Sequence, residues 1–264
     1  MTYGLRFANF GYHEVTDVPA DAGFQRPGAL PYKHSTVAFE RDLDQIAASG
    51  NAPEIITELD LTRPGRHVLL TFDDGGRSAT HIGDALAARG WRGHFFIATS
   101  LIGTRTFMDE REIRYLRSCG HSIGSHSDTH PDIFRDIPLA RMLQEWQVSC
   151  DRLAQLLGEP CPTASLPGGD ASTLVYRAAA QAGLHYLFTS EPWIRARRVD
   201  GCWILGRVFP KVGTPPERVG ELARFRGWRR ALLTRRLKGF ARRAFPPLYR
   251  LYVRRTTTPW QAQD

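Results

Sequence analysis

The feature that most constrains this chain is a repeated alternation between short apolar runs and longer segments whose apolar residues recur at helical spacing and stop at a glycine. Phe39, Leu43 and Ile46 precede Gly50; Ile82, Ala85 and Leu86 precede Gly90; Ile113 and Leu116 precede Gly120. The longest segment, Leu139, Leu143, Trp146, Cys150, Leu153 and Leu157, runs into Gly158, and a further one from Val175 to Ala182 stops at Gly183. Each predicts a helix buried along one face and ended by a residue suited to the left-handed C′ position. Between them lie runs rich in aromatic and branched side chains: Leu5 to Gly11, Val68 to Phe72, His94 to Ala98, Ile123 with its neighbours, Tyr186 to Thr189, and Trp203 to Phe209. Strands alternating with helices pair in parallel through crossover connections, so an α/β fold is expected, either a β/α barrel or a doubly wound sheet. In both, ligand chemistry gathers where strands end and loops begin.

Composition narrows the setting. With 264 residues, 42% of them hydrophobic, the chain can bury a sizeable core and is not of the disordered class. The first twenty residues contain Glu14 and Asp17 and lack an apolar run, and no run of about 18 apolar residues occurs anywhere. Neither a signal peptide nor a membrane span is therefore expected. Cys119, Cys150, Cys161 and Cys202 form no C-x-x-C pair, which argues against a disulfide framework or zinc ribbon and for a reducing cytoplasm. The net charge is +8, yet residues 214–264 alone hold 13 Lys and Arg against three acids, so the first 213 residues are slightly acidic. The expected division is a catalytic domain over 1–213 and a basic extension over 214–264.

Three segments carry candidate chemistry. The strand Val68 to Phe72 runs straight into Asp73-Asp74-Gly75-Gly76, placing two adjacent carboxylates at a strand end. Such acids repel, and a nearby cation would help keep both ionised; alone, the motif reads first as a solvated Asp-Gly turn. The second segment, Gly120-His121-Ser122-Ile123-Gly124-Ser125-His126-Ser127-Asp128-Thr129-His130, offers His126 and His130 four residues apart. That spacing lets both imidazoles meet one cation if the segment makes a helical turn. Joined to a carboxylate from another strand end, they give two nitrogens and one oxygen with positions left open, the outline of a catalytic metal site. The third, Ser165-Leu166-Pro167-Gly168-Gly169-Asp170, is a tight turn after another strand, where glycines expose backbone N–H groups to a ligand.

Taken in order, these segments resemble the polysaccharide deacetylase family, also called the NodB-homology or carbohydrate esterase 4 group. The likeness begins at Gly11-Tyr12-His13-Glu14-Val15, continues through Thr71-Phe72-Asp73-Asp74-Gly75, Gly93-His94-Phe95-Phe96-Ile97 and His121 to His130, and fades after Val208. It implies a distorted (β/α) barrel, here with a basic, mainly helical C-terminal tail, that removes N-acetyl or O-acetyl groups from a saccharide with one divalent metal. Zinc is the metal expected, with cobalt, nickel or manganese as alternatives. Carried over position by position, the resemblance makes Asp74, His126 and His130 the metal ligands and Asp73 the general base. Ser127 would brace the loop between the histidines, and the Gly168 N–H, with Gly169 beside it, would hold the oxyanion.

Two positions depart from the family pattern. Ser165 stands where an arginine normally pairs with the base, and Leu205-Gly206-Arg207 places an arginine where the pattern has the histidine that acts as general acid. Arginine stays protonated near neutrality and is a poor proton donor. Arg207 is expected instead to stabilise negative charge on Asp73 or on the tetrahedral intermediate. His13, near the end of the first strand, is the candidate proton donor, against the plainer reading of a histidine hydrogen-bonded beside the barrel mouth. Trp193 is a candidate sugar-facing ring, against a loop tryptophan covering the core. His121 is read as structural.

In the tail, Val219, Leu222, Phe225, Trp228, Leu232, Leu237, Phe240 and Phe245 interleave with arginines, a pattern suited to an amphipathic helix on an anionic membrane or to a helix packed on the barrel. The expected setting is the cytoplasmic face of the membrane, with an acetylated, lipid-linked or nascent saccharide as substrate. Nucleic acid is the weaker partner, since no recognition motif accompanies the charge. Competing readings are a hydrolase of a non-sugar amide and a catalytically weak module that binds metal and glycan. A ferrous oxygenase also fits two histidines and a carboxylate, but explains Asp73 beside Asp74 less well than hydrolysis does.

Overall fold

The computed structural model describes residues 4–169, 171–235 and 246–257. The chain runs β1 (Leu5–Tyr12), β2 (Glu14–Val15), β3 (Lys33–His34), α1 (Thr36–Ala47), β4 (Gly65–Phe72), α2 (Ala79–Ala87), β5 (His94–Ile97), α3 (Glu110–Ser118) and β6 (Ser122–Ser125). It continues through α4 (Leu139–Leu157), β7 (Thr163–Ser165), α5 (Thr173–Gln181), β8 (Tyr186–Phe188), β9 (Arg197–Val199), β10 (Cys202–Leu205) and α6 (Pro216–Ala223). A helical stretch over 228–235, α7, and α8 (Pro246–Thr257) complete the described chain. All five glycines expected to stop helices have positive φ, and Gly158 (φ 71°) ends the long α4 in the left-handed conformation that a side chain would resist.

Eight strands form one curled sheet in the order β1-β4-β5-β6-β7-β8-β10-β9, parallel throughout except where β9 returns against β10 through a turn at Asp200 and Gly201. Neither β9, whose Arg-Arg-Val lacks an apolar run, nor the two-residue β2–β3 pair carries a strand signal in the sequence. Parallel pairing brings the carboxyl ends of β1, β4, β5, β6, β7, β8 and β10 to one end of the barrel. The segment after β10 closes the seam against β1: Gly11 N–H donates to Val208 O (2.8 Å), Val208 N–H to Asn9 O (2.9 Å), and the Asn9 amide to Gly206 O (2.9 Å).

Alternation along the strands sorts what faces the barrel interior. Phe7, Leu69, Phe96, Phe188 and Leu205 pack together as an apolar floor. Two residues further on, Asn9, Thr71 and Arg207 form a polar layer above it, all buried. His94 is a packing residue: its Nδ1 bonds Leu70 O (3.1 Å) and its Nε2 accepts from Ile56 N–H (3.0 Å), while burial pushes its pKa down to about 4. His121 is likewise structural, accepting the Gly93 N–H on Nδ1.

The expected boundary at 213/214 does not coincide with a break in packing. Val219, Leu222, Ala223 and Trp228 are buried in the same cluster as Phe39, Leu43 and Phe72, so α6 is part of the barrel's helical layer. The single long tail helix expected from the sequence is interrupted at Phe225 (φ 61°) and Gly227 (φ 74°), and its stretch 236–245, with Leu237, Phe240 and Phe245, lies outside the described residues. Among the described residues no helix is long and apolar enough to cross a membrane.

Beneath this layer the Tyr12 hydroxyl donates to Asp42 Oδ2 (3.0 Å) in an otherwise apolar cluster. Burial pushes the Asp42 carboxyl up to about 6, above its value in the unfolded chain, so its contribution to stability is present at low pH and lost as pH rises through 6. Asp42→Asn keeps an acceptor for Tyr12 and removes the ionisation. It is expected to raise stability at pH 7.5 by roughly 1 to 3 kcal/mol and to have no such benefit near pH 4, as checked by thermal unfolding at both pH values.

Candidate metal centre and active site

The strand-end acids diverge because the backbone turns between them. Asp73 N–H still pairs with Tyr12 O (2.9 Å), continuing the β1–β4 register, but Asp74 and Gly75 both take positive φ (77° and 79°). Asp73 thereby points into the barrel and Asp74 toward the end of β6. A glycine at 75 also allows close approach to Ile97, 3.0 Å from where a Cβ would stand.

His126 follows β6, its N–H bonded to Ile97 O (2.8 Å). Its Nδ1 donates to Ser165 O (2.9 Å), which fixes the tautomer and leaves the Nε2 lone pair directed 3.2 Å from Asp74 Oδ1. His130 Nε2 lies 3.5 Å from the same oxygen, and its ring rests on Phe24 at 4.8 Å. The two histidines do not meet through a helical turn as the spacing suggested. Ser127 (φ 63°) and His130 (φ 53°) are both left-handed, so the segment is an irregular loop. Its shape is held by Ser127 Oγ, which accepts the His130 N–H (3.1 Å), and by Ser125 Oγ, which accepts the Ser127 N–H (3.0 Å).

Donor chemistry at this point fits a single divalent cation. One carboxylate oxygen and two imidazole nitrogens lie within 4.8 Å of one another, and Asp74 Oδ1 is buried with no hydrogen bond of its own. Burial would raise the Asp74 carboxyl, but His13, His126 and His130 outweigh it and hold it well below the usual carboxylate range.

Asp73 belongs to a separate network. Arg207 Nη1 donates to its Oδ1 (2.7 Å) and Nη2 to its Oδ2 (2.9 Å), while Ser165 Oγ also reaches Oδ2 (3.0 Å). The remaining guanidinium donors meet Thr71 Oγ1 (2.9 Å), Ser165 Oγ (2.6 Å) and Thr189 O (3.1 Å), so all five N–H groups of this buried arginine have acceptors. Burial raises the Asp73 carboxyl, but Arg207 first and His126 next more than compensate and keep it ionised. The expectation that Arg207 stabilises charge on Asp73 describes this geometry, with Ser165 serving as a bridge between them.

A cleft of about 850 Å³ opens above these groups and is lined by Asp73, Asp74, both metal-facing histidines, His13, Gly168 and Gly169. His13 is wedged between Tyr32 (4.9 Å) and Phe209 (5.3 Å), its Nδ1 buried without a partner and its pKa lowered by burial. Gly168 (φ 63°) is exposed, whereas Gly169 is buried and its carbonyl accepts from Arg235 Nη2 (2.6 Å). Trp193 is a correction: it is absent from the cleft wall, where Ser190 and Pro192 of its loop stand instead. Its ring packs on Gly206, too close for a Cβ there, with the Arg197 guanidinium 4.0 Å above it.

Two supports of the site have no motif to mark them. Glu145, on the buried face of α4, accepts the N–H groups of Asp128 (3.0 Å) and Thr129 (2.7 Å) and the Thr129 hydroxyl (2.6 Å), anchoring the histidine loop. The available signal was a charged side chain one position before Trp146 in an apolar stripe. Arg235 is the second, bridging Gly169 O and Glu191 Oε1 (3.0 Å) from the tail, and nothing singled it out among so many arginines.

Residues 60–187 match the family model described as Polysaccharide deacetylase. The chain carries a polysaccharide deacetylase domain. The matched stretch contains Asp73, Asp74, His126, Ser127, His130, Gly168 and Gly169, and leaves His13 and Arg207 outside it. By family the deacetylase domain is a hydrolase of carbon–nitrogen bonds other than peptide bonds. Its fold is similar to that of a polysaccharide deacetylase from Bacillus cereus (18% identity over 84% of this chain and 70% of that one, TM-score 0.71). It is also similar to IcaB from Ammonifex degensii (19% identity, 84% and 98% covered, TM-score 0.68). The Streptococcus pyogenes deacetylase PplD, solved in complex with acetate, is comparable (18% identity, 83% and 99% covered, TM-score 0.69).

The geometry separates ligands from supports in a measurable way. In calorimetric titrations of the deacetylase domain with zinc, His126→Ala or His130→Ala should abolish or nearly abolish binding. Glu145→Gln, which disturbs only the loop that carries them, should weaken it by roughly 10- to 100-fold.

Proposed function

We propose that this chain hydrolyses acetyl groups, N-acetyl foremost, from a saccharide in polysaccharide biosynthesis or modification, with a divalent metal, zinc foremost. The observation that carries the reading is the pairing of a buried, Arg207-bound Asp73 with an adjacent Asp74 that faces two imidazoles. A cation held by Asp74, His126 and His130 would supply Lewis acidity toward the acetyl carbonyl and lower the pKa of water. Asp73 takes the proton of the attacking water, oriented by Arg207 and Ser165 so that it need not reorganise. The exposed Gly168 N–H meets the charge that develops on the acyl oxygen. His13, neutral at rest, is the cleft group that relays a proton to the leaving nitrogen.

Asp73→Asn keeps the side-chain volume but removes the proton acceptor and leaves Arg207 without its carboxylate, so thermal unfolding is measured alongside activity. The substitution is expected to lower acetate release from an N-acetylated oligosaccharide by about 10²- to 10⁴-fold while zinc affinity is retained. Equal, background-level release by both proteins would favour a metal- and glycan-binding module, and release only from non-sugar amides would favour the other hydrolase reading.

We further propose that the tail contacts an anionic membrane surface on the cytoplasmic side. Leu233 in α7 and Leu248 and Leu251 in α8 are exposed large apolar side chains, and Arg229 of α7 and Arg255 of α8 are exposed as well. Helices that expose both apolar and arginine side chains suit the headgroup region, where each basic residue contributes about 1 kcal/mol. The protein should pellet with anionic vesicles at low salt and be released at high salt, and Leu248→Glu/Leu251→Glu should weaken pelleting. No pelleting of the wild type at low salt removes this part of the reading.

A further inference from the structure

The cleft is more cationic than deacetylation of a neutral sugar requires. Seven Lys and Arg side chains line it, against four Asp and Glu. Three of those carboxylates already face a guanidinium or imidazoles, and the fourth, Glu14, lies buried away from the mouth with its Oε1 unpartnered. Asp73 is held by Arg207, Asp132 by Arg26 (2.9 Å), Asp74 faces the two imidazoles, and Glu14 accepts from Ser78 Oγ (2.5 Å). A metal at Asp74 would add further positive charge. On the outer wall, by contrast, Lys211 and Arg230 are exposed and have no carboxylate partner among the described residues.

These cations are grouped by the fold. The Gly227 carbonyl accepts both Arg218 Nη2 (2.8 Å) and the Arg230 backbone N–H (3.2 Å), which sets the Arg218 guanidinium against the first turn of α7. Gly227 has positive φ and no side chain to obstruct this approach. Lys211 sits 5.0 Å over the Tyr32 ring, on the same wall that contacts His13. Arg218 spends one nitrogen on the exposed Glu221 (2.8 Å), leaving Lys211 and Arg230 as uncompensated charges at the mouth.

We propose that Lys211, Arg218 and Arg230 form an anion subsite, so that the saccharide deacetylated here carries a phosphate, diphosphate or carboxylate near the acetylated sugar. This rests on the deacetylase reading for the identity of the ligand, but not for the existence of the subsite. A planar or tetrahedral oxyanion can accept from two guanidinium groups while Lys211 acts as a point charge. The anion is thereby held outside the metal centre instead of competing for it.

The test uses the zinc-loaded full chain and three N-acetylglucosamine disaccharides: neutral, with a reducing-end diphosphate, and with an adjoining uronate. KM for at least one anionic substrate should be about tenfold lower than for the neutral one, with the advantage disappearing at high salt. Which anion gains it distinguishes phosphate from carboxylate. Lys211→Gln/Arg230→Gln should bring the ratio to about one, whereas the charge-matched Arg105→Gln/Arg195→Gln, exposed and away from the cleft, should leave it intact. Calorimetry with inorganic diphosphate and with glucuronate supplies a readout free of turnover. Equal KM values for neutral and anionic substrates, or an advantage that survives the Lys211/Arg230 substitution, overturn the proposal. Absence of acetate release from every substrate, with diphosphate or glucuronate binding still lost in that double variant, would overturn the deacetylase reading and leave the subsite standing.

Discussion

The Asp73–Arg207 pair is the constraint around which the barrel interior is arranged. Taking a guanidinium and a carboxylate out of water costs several kcal/mol per ion, and their attraction offsets this only when the remaining donors and acceptors are satisfied. Here they are: Thr71 and Ser165 supply hydroxyls, Thr189 a carbonyl, and the two carboxylate oxygens meet two guanidinium nitrogens. Removal of one partner would strand the other, at a cost of about 3 to 5 kcal/mol. The apolar floor of Phe7, Leu69, Phe96, Phe188 and Leu205 excludes water from beneath, so the ion pair has no alternative partner there. The same arrangement keeps Asp73 charged and oriented, which is what a base beside a metal centre needs.

This chain solves a charge problem with residues at unusual places. Where the family resemblance calls for an arginine after β7 there is a serine, and where it calls for a histidine after β10 there is an arginine. The two changes compensate in space, because the ends of β7 and β10 both face Asp73, with β8 between them in the sheet. The electrostatic task has moved from one strand end to another. What the exchange leaves unfilled is the family pattern's histidine, and His13 is the cleft-lining imidazole that is not grouped with Asp74 in the candidate metal cluster.

Much of this was legible in the sequence because it depends on local pattern. Helix-stopping glycines, apolar strand runs and the Asp-Asp and His-x-x-x-His segments carry their own geometry, and parallel pairing then gathers strand ends without further information. The misses are instructive. The His126–His130 loop was read as a helical turn because spacing reports separation and not φ, and two left-handed residues reach the same juxtaposition by another path. Trp193 was placed by its neighbourhood, but a glycine at 206 opened a slot in the core that the ring filled. The tail boundary was drawn from charge, although burial of Val219, Leu222 and Trp228 ties that segment to the barrel. Glu145 and Arg235 act through contacts with backbone groups remote in sequence, a kind of role that no local pattern encodes.

The seam at Val208 gives the order of chain synthesis a role in how the site comes into being. Asp73 emerges 134 residues before the arginine that neutralises it, and the segment after β10 that carries this arginine also shuts the barrel against β1. Until that late segment docks, Asp73 has no reason to leave water and the interior has no reason to close. Closure of the seam and neutralisation of Asp73 thus depend on one and the same late segment, and without it that carboxylate would have no guanidinium to meet.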